Sequence, residues 1–227
     1  MDPHCFRITR AECGDMPPKV YSTRSVPLTD NQQHYYDRVL EEIALEMDHG
    51  KLTVQNQLSR LLRLQQITGG FMPSDEKVQL PLSNDRPDVM LQEIEGMRGK
   101  VIIWARFRAE LELIAEVLRL AYGNASVAEY HGGVSGLDRE KARYGFQDPA
   151  SPLRFFVAQQ ASGGYGLKLT AADNVIYYSN DFSLEHRLQS EDRPIALDKP
   201  RGVAYLDLQA PGTVDEKIVG ALQGKKE

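Results

Sequence analysis

Apolar residues recur along the first third of this chain with a helical period. Tyr36, Val39, Leu40, Ile43 and Met47 line one stripe. Thr29-Asp30-Asn31-Gln32 precedes it as a capping box, in which Thr29 accepts from an early helix amide and Gln32 reaches back. His49-Gly50 ends this run, and a second helix is predicted after Thr53 through Val54, Leu58, Leu61, Leu62 and Gln65, closed by Gly69-Gly70. Together they form a helical hairpin. Residues 72–88 are rich in proline and charge and are predicted to be a mobile loop. The leading residues 1–27 contain Pro17-Pro18, which exclude a helix there, so that segment is expected to be extended.

Beyond residue 96 the pattern changes to short apolar runs separated by amphipathic stretches. Lys100 to Trp104 is unbroken rather than alternating, as in a strand buried on both faces. Arg108 to Tyr122 follows as an amphipathic helix, then Val127 to Tyr130 as a strand ending in His131-Gly132-Gly133. Ser135 and Asp138 open a helix that ends near Phe146. Leu153 to Ala158 is another buried strand, followed by a glycine turn, Gly163-Gly164-Tyr165-Gly166, a short helical piece, and a strand from Asn174 to Ser179. A polar loop, Asn180 to Ser183, leads to a helix bearing Glu185, Gln189, Asp192 and Arg193. Val203 to Leu208 is the last strand, and Thr213 to Glu216 caps a final helix before a fraying tail, Gly224 to Glu227. Five apolar strands alternating with helices predict an α/β fold, a parallel sheet flanked by helices, with the hairpin as an N-terminal extension.

The 227 residues, 41% of them hydrophobic, suffice for one main domain plus an extension. The expected division is 1–27 as a linker strand, 28–95 as hairpin and loop, and 96–227 as the α/β domain. A net charge of −5 means that any nucleic-acid contact must come from a local patch. Cys5 and Cys13 have no second pair and suggest a reduced intracellular protein without a zinc site. No apolar run reaches membrane length and Met1 to His4 is no signal peptide, so a soluble, cytoplasmic protein is expected.

The run GGYGLKLTAADNVIYYSNDFSLEHRLQSEDR resembles motifs V and VI of the Swi/Snf-type DNA-dependent ATPases, a branch of helicase superfamily two. That family reads roughly GG-x-GLNLT, an apolar strand, a polar loop, then Q-x-x-DR-x-HR-x-GQ. VIIWARF is similar to motif IV, YHGG with its following Arg and Phe to the adjoining segment, and Asp15 to Lys19 to the string that joins two ATPase lobes. The resemblance covers nearly the whole chain and implies a second RecA-like lobe. Such a lobe binds ATP against a first lobe, which holds the Mg²⁺, and it grips the backbone of double-stranded DNA.

On that resemblance, Arg193 is the catalytic candidate, stabilising charge on the transferring phosphoryl group. Gly164, Gly166 and Gln189 join it as nucleotide-binding candidates; for Gln189 a polar helix surface is the competing reading. Gln159, Ser162, Gly163, Lys168 and His131 are the DNA-binding candidates. Lys168 stands where the family has Asn near the ribose, and it reads equally as an exposed lysine. His131 reads equally as a satisfied loop histidine, and Trp104 as core.

Two departures matter. No G-x-x-x-x-G-K-[ST] loop or DEAH-like box occurs, so nothing in the chain cradles the β- and γ-phosphates or holds Mg²⁺, and the chain by itself is expected not to hydrolyse ATP. After Arg193 the family's His-Arg is missing. Either Pro194-Ile195 spans a gap, or Ala196 stands where the second arginine belongs. A catalytically silent DNA- or protein-binding lobe is therefore the alternative function. A dinucleotide-binding enzyme is disfavoured because the first strand lacks G-x-G-x-x-G.

Overall fold

The computed structural model describes residues 18–48, 54–73, 79–162, 167–196, 199 and 202–224. Six parallel strands form the main sheet: β1 (Lys19–Ser25), β4 (Lys100–Ala105), β5 (Val127–Tyr130), β6 (Phe155–Gln159), β7 (Ala172–Tyr177) and β8 (Val203–Gln209). Their order is β1-β8-β7-β4-β6-β5. The five apolar strands form as the pattern requires. The sixth, β1, was legible only as an extended segment; it pairs in register with β8, Lys19 against Val203 through Ser25 against Gln209.

Continuous apolar strands put side chains into both faces. On one face Val101, Ile103, Ala105, Val157 and Ile176 pack against α3 (Arg86–Gly96) and α4 (Arg108–Tyr122). On the other, Ile102, Trp104, Phe156, Val175 and Tyr205 meet α5 (Gly136–Gln147). The helix α6 (Leu184–Asp192) lies on this second face, where Tyr205 donates to the Glu191 carbonyl at 2.6 Å. Full burial of each such strand residue stabilises by about 1.5–3 kcal/mol, which is why period and strand identity agree so well here.

The hairpin consists of α1 (Asp30–Asp48) and α2 (Val54–Thr68). Its proximal half docks on α7 (Val214–Gly224) through Tyr36, Val39, Leu64, Ile67, Ile218 and Leu222. The capping box forms, with Thr29 N–H donating to Gln32 Oε1 at 3.1 Å. Farther along, Leu40, Met47 and Leu58, expected in the buried stripe, are exposed. There the helices are joined by charge instead: Arg60 bonds Glu46 at 2.6 Å and also Glu42.

Residues 72–88 are not simply a loop. β2 (Phe71–Pro73) and β3 (Gln79–Pro81) form a small antiparallel pair, and α3 begins at Arg86. The Asn84 side chain, accepting from Arg86 N–H at 3.0 Å, and a proline in the first turn start that helix. Among the described residues no helical piece follows the glycine turn either. A 3₁₀ turn, Gln160–Ser162, precedes the glycines, and residues 167–169 are irregular. Leu167 and Leu169 sit two apart, both buried in the second-face cluster, which an extended backbone satisfies and a helix does not.

Candidate functional site

At the carboxyl ends of β4, β5 and β6 the register sets Ala105 beside Gln159 and Tyr130 beside Ala158. Just past those ends, Gln159 Nε2 donates to the Arg106 carbonyl at 2.8 Å and Ser162 Oγ donates to Gln159 Oε1 at 3.4 Å. His131 is buried; its Nδ1 accepts from Gly133 N–H at 3.1 Å and its Nε2 lies 3.3 Å from Glu129. A Cβ at Gly133 would fall 3.0 Å from the Arg108 guanidinium, so Arg108 lies directly over this turn. The edge thus gathers Gln159, Ser162 and His131 with exposed Arg108. Arg106 turns away, its guanidinium on Gln65 Oε1 at 2.9 Å and over the Phe182 ring at 4.6 Å. Burial holds that guanidinium below its ordinary value.

Lys168 does not join this edge. It is exposed, and its carbonyl accepts from Gln147 Nε2 at 2.9 Å at the far end of α5. Gly163, Gly164 and Gly166 lie outside the described residues.

The helix that presents Arg193 is anchored by charge. Ser183 caps it, accepting from His186 N–H at 3.3 Å, and His186 bonds Asp181 at 2.6 Å. Arg187 is buried and forked onto Asp207, at 2.5 and 2.8 Å, with Glu191 at 2.7 Å and Asn180 at 2.6 Å completing its bonds. It lies 3.5 Å from the Tyr177 ring centroid. Burial opposes its charge, but the Asp207 bonds and neighbouring negative charge outweigh that and hold it above its ordinary value. Glu191 also accepts from Tyr21 Oη at 2.9 Å and lies 3.4 Å from Lys19 Nζ, tying β1 to α6. Glu191 was legible only as part of QSEDR; its buried bonds to Arg187 and Tyr21 were not.

Gln189 projects from the same helix, donating to Glu185 at 2.9 Å. Arg193 follows the last turn of α6, half-buried, its carbonyl accepting from Leu169 N–H at 3.0 Å, and burial depresses its guanidinium. Ile195 packs on the second-face cluster, and Ala196 accepts from Lys199 N–H at 3.3 Å. Lys199 donates to the Thr170 carbonyl at 3.1 Å and to the Ala172 carbonyl. That is the amino end of β7, away from the edge carrying Gln159. Arg201 lies outside the described residues.

Sequence reasoning missed a second buried network behind the edge. Arg86 bonds Asp215 at 2.5 Å and the Tyr178 carbonyl at 2.9 Å, and Thr68 bonds the same aspartate at 2.9 Å. It joins hairpin, sheet and α7; its only signal was an arginine just before a helix-starting proline.

Residues 85–195 match the helicase conserved C-terminal domain. Human lymphoid-specific helicase is 31% identical over 140 residues, 62% of this chain, and the match spans 16% of that protein's length. Among solved structures, the C-terminal part of the Fun30 ATPase domain superposes with a TM-score of 0.75 at 16% identity, covering 91% of this chain and 90% of that one. The Sulfolobus solfataricus SWI2/SNF2 ATPase core in complex with dsDNA superposes with a TM-score of 0.71 at 24% identity, covering 96% of this chain and 46% of that one. Residues 85–195 carry a helicase conserved C-terminal domain, and the chain has the fold of the C-terminal domains of SWI2/SNF2 ATPases.

Proposed function

We propose that this lobe is half of an ATP-dependent DNA translocase, supplying motifs IV to VI to ATP hydrolysis and to the DNA backbone. The observation that carries this is the order of β6, β7 and the arginine-bearing helix on one parallel sheet, within the matched domain, with three glycines between the two strands in sequence. Open α/β sheets take ligands beyond the carboxyl ends of their strands. In this reading Gln159, Ser162 and Arg108, at those ends, meet DNA phosphates. Arg193 serves the phosphoryl group. ATP is the substrate, and Mg²⁺ belongs to the partner lobe. By itself the chain is silent, because its sequence has no phosphate-cradling loop.

A second reading, a lobe that binds without chemistry, is favoured by one observation: no His-Arg follows Arg193, so the second arginine of the resembled family has no counterpart there. Joining the chain to a matching first lobe and measuring ATPase activity with and without duplex DNA separates the two. A DNA-stimulated rate supports the motor. If the rate is low, Ala196→Arg, or His-Arg inserted between Pro194 and Ile195, is expected to raise it by about 10³-fold or more. If neither change yields DNA-stimulated turnover in a folded protein, the motor reading fails and the silent lobe stands.

A further inference from the structure

The last turn of α6 leads directly into Arg193, and three adjacent strands hold it. Tyr177 Oη of β7 lies 2.8 Å from Ser190 Oγ, and Tyr205 of β8 donates to the Glu191 carbonyl at 2.6 Å. From the edge strand β1, Tyr21 Oη donates to Glu191 at 2.9 Å, and Lys19 Nζ lies 3.2 Å from Asp192 and 3.4 Å from Glu191. Arg193 N–H then donates to the Ser190 carbonyl at 3.4 Å, and the Arg193 carbonyl accepts from Leu169 N–H at 3.0 Å.

The two β1 side chains are not needed to pair the strand, since all seven residues of β1 stand in register with β8. Lys19 and Tyr21 are two apart, so both face α6, whereas Val20 between them points to the opposite face and is 58% exposed. A strand placed for burial alone would turn its valine inward and its lysine to water. The Tyr21 ring stacks on Tyr205, centroids 5.2 Å apart, with its hydroxyl on Glu191. Partial burial and the charge of Glu191 hold that phenol above its ordinary value, so it stays a donor at neutral pH. A phenol donating to a carboxylate and an ammonium beside a second carboxylate are both charge-assisted contacts, short and directional.

We infer that Lys19 and Tyr21 are positioning residues for Arg193, acting through Asp192 and Glu191 to fix the turn from which that arginine leaves α6. The edge strand, and not α6 alone, sets where Arg193 stands. This rests on the motor-lobe reading, which gives Arg193 its task on the phosphoryl group.

The chain itself is tested first, by NMR. Tyr21→Phe keeps the stacked ring and removes one bond; Lys19→Met keeps the stem and removes the charge. Each is expected to shift the backbone amide signals of Leu169 and Arg193, which bond across this turn. Thr68→Val loses a buried bond to Asp215, lowers stability elsewhere, and is expected to leave those signals in place. The same spectra report whether each variant folds, and either β1 variant carries the test alone. Turnover is then read in the joined two-lobe protein, as it stands or with Ala196→Arg, whichever shows DNA-stimulated ATPase activity. Each β1 variant is expected to lower kcat about tenfold with KM for ATP unchanged, the mark of a contact realised only in the transition state. In an Arg193→Ala background the same substitutions are expected to add nothing.

Unmoved Leu169 and Arg193 signals in the folded variants overturn the inference. So does wild-type kcat in both β1 variants, and so does an equal loss of kcat in Thr68→Val, which would show that stability alone is being read. The motor-lobe reading survives all three results. If no joined form turns over ATP, the motor-lobe reading itself fails and the inference falls with it.

Discussion

Glu110 is fully buried at the start of α4, where its Oε2 accepts from Phe107 N–H at 3.0 Å, Arg106 N–H at 3.2 Å and Ser179 Oγ at 2.5 Å. Its other oxygen has no hydrogen-bond partner among the described residues and lies where it would clash with a Cβ on Gly69. Burial raises the carboxyl from 4.5 to about 7, with Asp215 adding to the rise; the Ser179 and Phe107 bonds and the charge of Arg86 pull the other way. A carboxyl that protonates more readily folded than unfolded stabilises the fold below its unfolded value, and that stability fades as pH rises through about 7. Between pH 5 and pH 8 the melting temperature is expected to fall by roughly 5–10 °C more in the wild type than in Glu110→Gln. Parallel curves would show that Glu110 titrates normally. At this scale the sequence was partly legible: Trp104 read correctly as core, whereas the environment of Glu110 depends on Ser179 and Gly69, distant residues that no local pattern connects.

The anchoring of α6 belongs to the scale of elements. Arg187, Asp207, Glu191 and Tyr21 come from α6, β8 and β1, so this one network fixes the helix against two strands. Removing one partner from a buried pair leaves a charge without compensation, which costs about 3–5 kcal/mol. Asp207→Ala is therefore expected to cost that much in urea unfolding. Tyr21→Phe, losing one hydrogen bond to a carboxylate, is expected to cost about 1–2 kcal/mol. Equal and small losses would show that the network does not hold α6. Helices and strands with strong period were legible, because burial dictated both their pattern and their position. β1 was legible only as a linker strand, not as a member of the sheet, since an edge strand exposed along most of its length carries little hydrophobic signal. The β2–β3 pair was missed because a three-residue strand is too short to show a period.

For the whole molecule, a net charge of −5 sets a long-range repulsion that the Arg108 edge must overcome locally. Duplex binding by this chain is expected to be weak, independent of sequence and steeply weakened by salt, with Arg108→Ala lowering affinity and flattening the salt dependence. Fluorescence titration at low and high salt measures both; tight, salt-insensitive binding would place the contact elsewhere. The arginine-bearing helix was legible through family resemblance, but the fork of Arg187 onto Asp207 was not, because the aspartate stands 20 residues on, in a separate strand. The parallel pairing of β1 with β8 joins residues from opposite ends of the chain. During synthesis at about 5–20 residues per second, β1 therefore waits roughly 10–40 s for β8 to be made. Tyr21 and Glu191 stand 170 residues apart, so the arginine helix is secured against the edge strand only late in the synthesis of this lobe.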